Sequence, residues 1–227
     1  MFGRKIKNDY GVNINEKKIG AVIDYTNLDP CLTRKQLENF LCVAYKNKYY
    51  AVCVNPVNVR FCRRYIDYKF KSSINVCTVV GFPLGANTTE TKVFELKDAI
   101  KNGADEIDVV APISKIKEGD WSYIKNELVK LNRAKKKKVL KVIVETALLN
   151  KQELEKISIL CAKCKVDYVK TSTGYANGGA LPEDVEIIRD AVKNRCGIKA
   201  SGGIRTRQQA VLLVRSGATR IGISKEI

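Results

Sequence analysis

Eight short β-branched runs, recurring about every 20–30 residues and followed by longer amphipathic stretches, predict an α/β fold, a TIM (β/α)8 barrel. Two further observations support it. The chain has 227 residues with 45% hydrophobic content, enough for one large core and close to the roughly 250 residues of a typical barrel domain. No linker, low-complexity segment or shift in composition divides it. The expectation is one domain over residues 1–227, with residues 1–17 as an N-terminal extension or helix ahead of the first strand.

The strand candidates, in order, are Ile19 to Asp24, Tyr50 to Asn55, Asn75 to Gly81, Glu106 to Ala111, Val139 to Glu145, Tyr168 to Ser172, Ile198 to Ser201 and Arg220 to Ser224. Between them, Thr33, Thr88 and Thr206 offer N-cap hydroxyls to helices over Arg34 to Asn47, Thr89 to Asn102 and Arg207 to Ser216. Pro182 suits the first turn of another helix, and Gly103 and Gly217 suit helix ends. Only three residues follow Ser224, so the last helix is expected to be truncated.

Composition narrows the chemistry. A formal charge of +17, from 41 Lys and Arg against 24 Asp and Glu, favours anionic ligands. The run Lys135-Lys136-Lys137-Lys138 has no interleaved aromatic and reads as a solvated helix end rather than a nucleic-acid patch. The eight cysteines are scattered through apolar segments, as in a reduced cytoplasmic protein. Cys161 and Cys164 have redox spacing but no second pair, and read as packing. No stretch reaches the 18 or so apolar residues of a membrane span. There is no histidine, which argues against imidazole-ligated zinc and Ser-His-Asp or Cys-His catalysis. No metal and no cofactor are expected.

Parallel barrel strands are buried on both faces, so a charge inside one needs a reason. Three candidates carry one: Lys170 in the sixth strand, Lys199 in the seventh and Asp108 in the fourth. A lone strand lysine is commonly a snorkelling or salt-bridged residue. Two on adjacent strands discourage each other's protonation, and a neutral amine is what carbonyl attack requires. Asp108 supplies a negative charge to hold the remaining ammonium and pass protons. Gly174, Gly178-Gly179, Gly202-Gly203 and Gly222 follow the last three strands, where barrels often bind phosphate, and Arg205 adds charge. The same glycines also suit tight βα turns. Lys141 and Glu145 are candidates for the cavity wall, or for pairing with each other or with neighbours.

These motifs resemble the deoxyribose-phosphate aldolases, in their shorter form. The likeness runs from about Ile23 to Ser224 through Ile23-Asp-Tyr-Thr26, Val52-Cys-Val-Asn-Pro56, Val79-Val-Gly-Phe-Pro-Leu-Gly85, Gly103-Ala-Asp-Glu-Ile-Asp-Val109, Leu140-Lys-Val-Ile-Val-Glu-Thr146, Val169-Lys-Thr-Ser-Thr-Gly174, Ile198-Lys-Ala-Ser-Gly-Gly-Ile-Arg-Thr206 and Gly217-Ala-Thr-Arg-Ile-Gly222. The resemblance implies metal-independent, reversible cleavage of 2-deoxy-D-ribose 5-phosphate to D-glyceraldehyde 3-phosphate and acetaldehyde. It implies Lys170 as Schiff-base lysine, Lys199 as the group that lowers its pKa, and Asp108 as proton relay. Asp24, Cys53 and Thr173 would support the lysines or line the pocket, and Gly174, Gly203, Ile204, Arg205, Gly222 and Ser224 would hold phosphate. It also implies a phosphorylated sugar as partner, allows a homodimer, and leaves a non-catalytic, polyanion-binding barrel as the alternative. The chain departs from the family pattern at Tyr25, where histidine is usual, and at Gly222-Ile-Ser-Lys225, which lacks one hydroxyl. It also ends at Ile227, without a closing helix or tail.

Overall fold

The computed structural model describes residues 5–7 and 13–227. The expectation for residues 1–17 lies partly outside the described residues. Within that segment β1 (Lys5–Lys7) and β2 (Asn13–Asn15) pair as an antiparallel ribbon, and a 3-10 helix over Glu16–Val22 follows, so the described residues there form no α-helix.

Eight strands then close a parallel barrel: β3 (Ile23–Asn27), β4 (Ala51–Val54), β5 (Asn75–Val80), β6 (Glu106–Val110), β7 (Val139–Ile143), β8 (Tyr168–Lys170), β9 (Gly197–Ser201) and β10 (Arg220–Ile223). Each pairs with its neighbour in sequence, and β10 returns to β3 through Ile221↔Ile23 and Ile223↔Tyr25. The connections carry α1 (Arg34–Lys46), α2 (Val59–Tyr65), α3 (Thr89–Lys101), α4 (Ile113–Glu118), α5 (Trp121–Ala134), α6 (Lys151–Lys163), α7 (Pro182–Val192) and α8 (Arg207–Ser216). Residues 224–227 form no helix. Closure needs none, because it rests on strand pairing.

The helices begin where side-chain oxygens can take up their unpaired N–H groups. Thr33, Asn150 and Thr206 each form a reciprocal capping box, with Gln36, Glu153 and Gln209. Thr88 caps α3 and Asp120 caps α5.

One strand was misplaced by sequence reasoning. The apolar run Ile19 to Val22 was expected to open the first strand, yet it lies in the 3-10 helix, and the strand begins at Ile23. Short apolar runs read alike for buried strands and helical turns. Here Ile19 and Val22 are buried in the core. The fifth strand stops at Ile143 instead of Glu145, because Glu145 takes a left-handed φ of 54°. The sixth stops at Lys170 instead of Ser172.

Strand alternation divides the molecule into two environments. Outward residues such as Ile23, Val52, Val76, Ile107, Val109, Leu140, Val169 and Ile198 pack under the helices in one apolar core. Burying such aliphatic side chains contributes about 1.5–3 kcal/mol each before chain entropy is counted. Inside the barrel the usual branched apolar layers give way to Asp24, Glu106, Asp108, Lys141, Lys170, Lys199 and Arg220, all buried.

Candidate active site

Register places the charges. Lys170 is the Cα partner of Lys199, Asp108 of Lys141, and Lys199 of Arg220. Asp108 is the hub: its Oδ2 accepts from Lys170 Nζ and Lys199 Nζ, each at 2.8 Å, and its Oδ1 accepts from Lys141 Nζ at 2.8 Å. Lys199 also donates to Asp24 Oδ2. Below this layer Arg220 bridges Asp24 at 2.8 Å and Glu106 at 3.0 Å, while Lys141 also meets Glu106. Arg220 stacks over the ring of Tyr50 at 3.6 Å.

Charge counting gives this layer a direction. Four cations, Lys141, Lys170, Lys199 and Arg220, face three carboxylates, Asp24, Glu106 and Asp108. A net buried charge is costly, and the cluster balances when one cation is neutral. Lys170 meets a single carboxylate, through an oxygen it shares. The other three each meet two or more.

Burial opposes the charge on Lys199, but Asp108 and Asp24 outweigh it and raise its pKa above the ordinary lysine range. Lys141 is raised well above that range against the same burial penalty, chiefly by Asp108. Burial also opposes ionisation of the acids. Lys141, Lys170 and Lys199 nevertheless hold Asp108 well below the usual carboxylate range, and Lys199, Lys141 and Arg220 lower Asp24. Lys199 is thus a standing ammonium, and Asp108 a standing carboxylate.

Above Lys170 opens a cavity of about 410 Å³, lined at its floor by Lys170 and at its wall by Thr26, Asn27, Leu28 and Thr173. Its mouth is formed by Gly174, Gly203, Ile204, Gly222 and Ser224. Gly174, Gly202 and Gly203 have φ of 86°, 88° and 74°, which let two successive loops, after β8 and β9, turn their main chain toward one space. Thr173 donates its hydroxyl to Glu145, which also accepts from the Thr173 N–H at 3.1 Å.

Lys170, Thr173, Gly174, Gly203, Ile204, Gly222 and Ser224 therefore share one cavity, while Lys199, Asp108 and Asp24 lie directly beneath it. Cys53 is buried beside Cys77, Val79 and Leu28, and does not line the cavity. Arg205 is exposed, stands outside the lining residues and gives its backbone N–H to Gln209. Lys141 and Glu145 are buried parts of the support, not of the wall. Tyr25 points away from the site, stacked on Phe40 at 4.6 Å and beside Tyr49. The departure at that position leaves the cavity untouched.

Sequence reasoning passed over Glu106 and Arg220, although the same signal, a charge inside a buried strand, marks both. Nothing in the sequence singled out Cys77, whose Sγ lies 3.2 Å from Asp108 Oδ1. In the basic run, Lys135 and Lys138 are ion-paired with Asp167 and Asp105, both at 2.8 Å.

The DeoC/LacD family aldolase model matches residues 16–224. Deoxyribose-phosphate aldolase from Clostridium botulinum (strain ATCC 19397 / Type A) is 45% identical over 91% of this chain and 96% of its own length. Deoxyribose-phosphate aldolase 1 from Vibrio vulnificus (strain YJ016) is 42% identical over 90% of this chain and 92% of its own. Among solved structures, the tetrameric deoxyribose phosphate aldolase from Aeropyrum pernix superposes with a TM-score of 0.82 at 31% identity, covering 92% of this chain and 88% of that one.

Proposed function

The chain belongs to the DeoC/LacD family of aldolases, and from that premise we propose that it reversibly cleaves 2-deoxy-D-ribose 5-phosphate to D-glyceraldehyde 3-phosphate and acetaldehyde, through an imine on Lys170. The observation that carries this reading is the convergence of Lys170 and Lys199 on one oxygen of Asp108 at the floor of a glycine-mouthed cavity.

Lys170 attacks the open-chain aldehyde as the free amine, and with a proton that Lys199 gives up through Asp108 water leaves and a protonated imine forms. That cation draws in the electrons of the bond between C2 and C3 as the C3 hydroxyl proton passes, through water and Asp108, back to Lys199. Glyceraldehyde phosphate departs and an enamine stays on Lys170. Lys199 returns the proton to C2, and hydrolysis then frees acetaldehyde, restores the amine and leaves its released proton on Lys199. Asp108 Oδ2, shared by both amines, is the relay between them. Thr173 faces the sugar hydroxyls, and the loops at Gly174, Gly203 and Gly222–Ser224 receive the phosphate. No step calls on a metal.

Borohydride reduction with acetaldehyde should leave one ethyl group on the peptide containing Lys170, and none in Lys170→Arg. A folded protein that yields no adduct there would sink the assignment. The polyanion-binding alternative has weaker support, since half of the Lys135–Lys138 run is committed to ion pairs. Eight free thiols support a reducing, cytoplasmic setting, and among the described residues no helix is long and apolar enough to cross a membrane. Val57 and Tyr68, exposed together beside Arg60 and Arg64, supply a face on which a homodimer could form.

A further inference from the structure

Beneath the cavity, β4 and β5 set Cys53 and Cys77 opposite each other as Cα partners. Both thiols are buried, and Cys77 donates to Asp108 Oδ1 at 3.2 Å. The two sulfurs and a carboxylate oxygen of Asp108 all lie within 4.8 Å of one another. Zinc-class ions hold thiolates at about 2.3 Å and carboxylates at about 2.0–2.2 Å, so tetrahedral ligand atoms stand roughly 3.5–4 Å apart. Small side-chain shifts bring these three atoms to that spacing.

We propose that Cys53, Cys77 and Asp108 form a binding site for a thiophilic divalent cation of the zinc class, and that its occupation switches catalysis off by withdrawing the carboxylate shared by Lys170 and Lys199. The binding half stands on the cluster alone; only the inhibition half rests on the aldolase reading.

Binding leaves the buried charge unchanged. Two S–H bonds break, two metal–sulfur bonds and one metal–oxygen bond form, and two protons leave for solvent as one divalent ion arrives. Lys141 Nζ, 3.3 Å from Cys77 Sγ, stabilises the thiolate formed there. Thiolate donors favour zinc or cadmium over magnesium or calcium. Leu28 and Phe82 pack on the cysteine pair, and Leu28 also lines the cavity, so the path in runs past that side chain. The other grouping of this kind among the described residues, Asp24, Cys77 and Glu106, offers one sulfur.

The test uses the full chain carrying Cys31→Ser and Cys42→Ser, which removes the exposed thiols, titrated with cadmium chloride. The expected result is a thiolate-to-cadmium charge-transfer band saturating at one ion per chain, with release of about two protons. Aldol cleavage falls in parallel and recovers with a chelator. Adding Cys77→Val raises the cadmium concentration needed for both effects by about 10–100-fold, with each variant judged against its own metal-free rate. If Cys77→Val fails to fold, Cys53→Ala in the same background serves instead. Absence of the band, or a band and inhibition unmoved by either substitution, overturns the proposal. A band in protein that is inactive even without cadmium supports the metal site and counts against the aldolase reading.

Discussion

Asp108 accepts from three lysine side chains on two oxygens, so its removal acts twice. Asp108→Asn leaves Lys170 and Lys199 without their common anion and is expected to lower kcat by about 10²–10⁴-fold. Steady-state cleavage assays on protein shown to be folded by circular dichroism check this; a loss under tenfold would remove Asp108 from proton transfer. A second buried pair tests whether charge burial serves stability or chemistry. Lys92 Nζ meets Glu127 at 2.8 Å with both side chains inaccessible, far from the cavity. Lys92→Met strands Glu127 and should cost about 3–5 kcal/mol, while Lys92→Met with Glu127→Leu should restore most of it. Urea unfolding reads both, and equal losses in the single and double variants would contradict the account. Lys170, Lys199 and Asp108 were legible in the sequence because each breaks an apolar strand. Cys77 was not, because a buried cysteine in a strand reads as packing until its neighbours are known.

At the scale of elements, the loops after β8 and β9 depend on closeness that only glycine permits. A Cβ on Gly179 would stand 2.4 Å from the carbonyl oxygen of Gly202 and 2.7 Å from its carbon. Gly179→Ala must therefore push the Gly202–Ile204 loop away from the cavity, and displacements near 1 Å can lower rates by up to about 10²-fold. The expected outcome is a KM for the phosphorylated sugar raised about tenfold, with borohydride trapping of acetaldehyde on Lys170 retained. An unchanged KM would detach this loop from phosphate binding. Three of the helices were visible from their caps, since Thr33, Thr88 and Thr206 start them where expected. The run Ile19 to Val22 was not, because its four residues suit a strand or a turn equally and burial under the barrel decides between them.

For the whole molecule, the buried network ties stability to pH. Asp24 and Asp108 have folded pKa values below the ordinary range; their stabilisation is complete above pH about 4 and is lost as pH falls through the folded values. Lys141 and Lys199 are raised, so their contribution is complete below pH about 10 and is lost as pH rises through the folded values. The urea midpoint should hold level between about pH 5 and 9 and fall on both sides. A midpoint that climbs below pH 4 would contradict the network as described. The sequence by itself determined the barrel, because strand periodicity and spacing are local properties, and it marked Lys170, Lys199 and Asp108 as candidates, because a charge inside a buried strand needs a reason. Only the tertiary structure decided the balance of four cations against three carboxylates, the exclusion of Arg205 from the cavity, the outward face of Tyr25 and the pairing of Cys53 with Cys77. Those depend on distances between residues up to 196 positions apart, as in Arg220 with Asp24, and barrel closure sets such distances where no local pattern can.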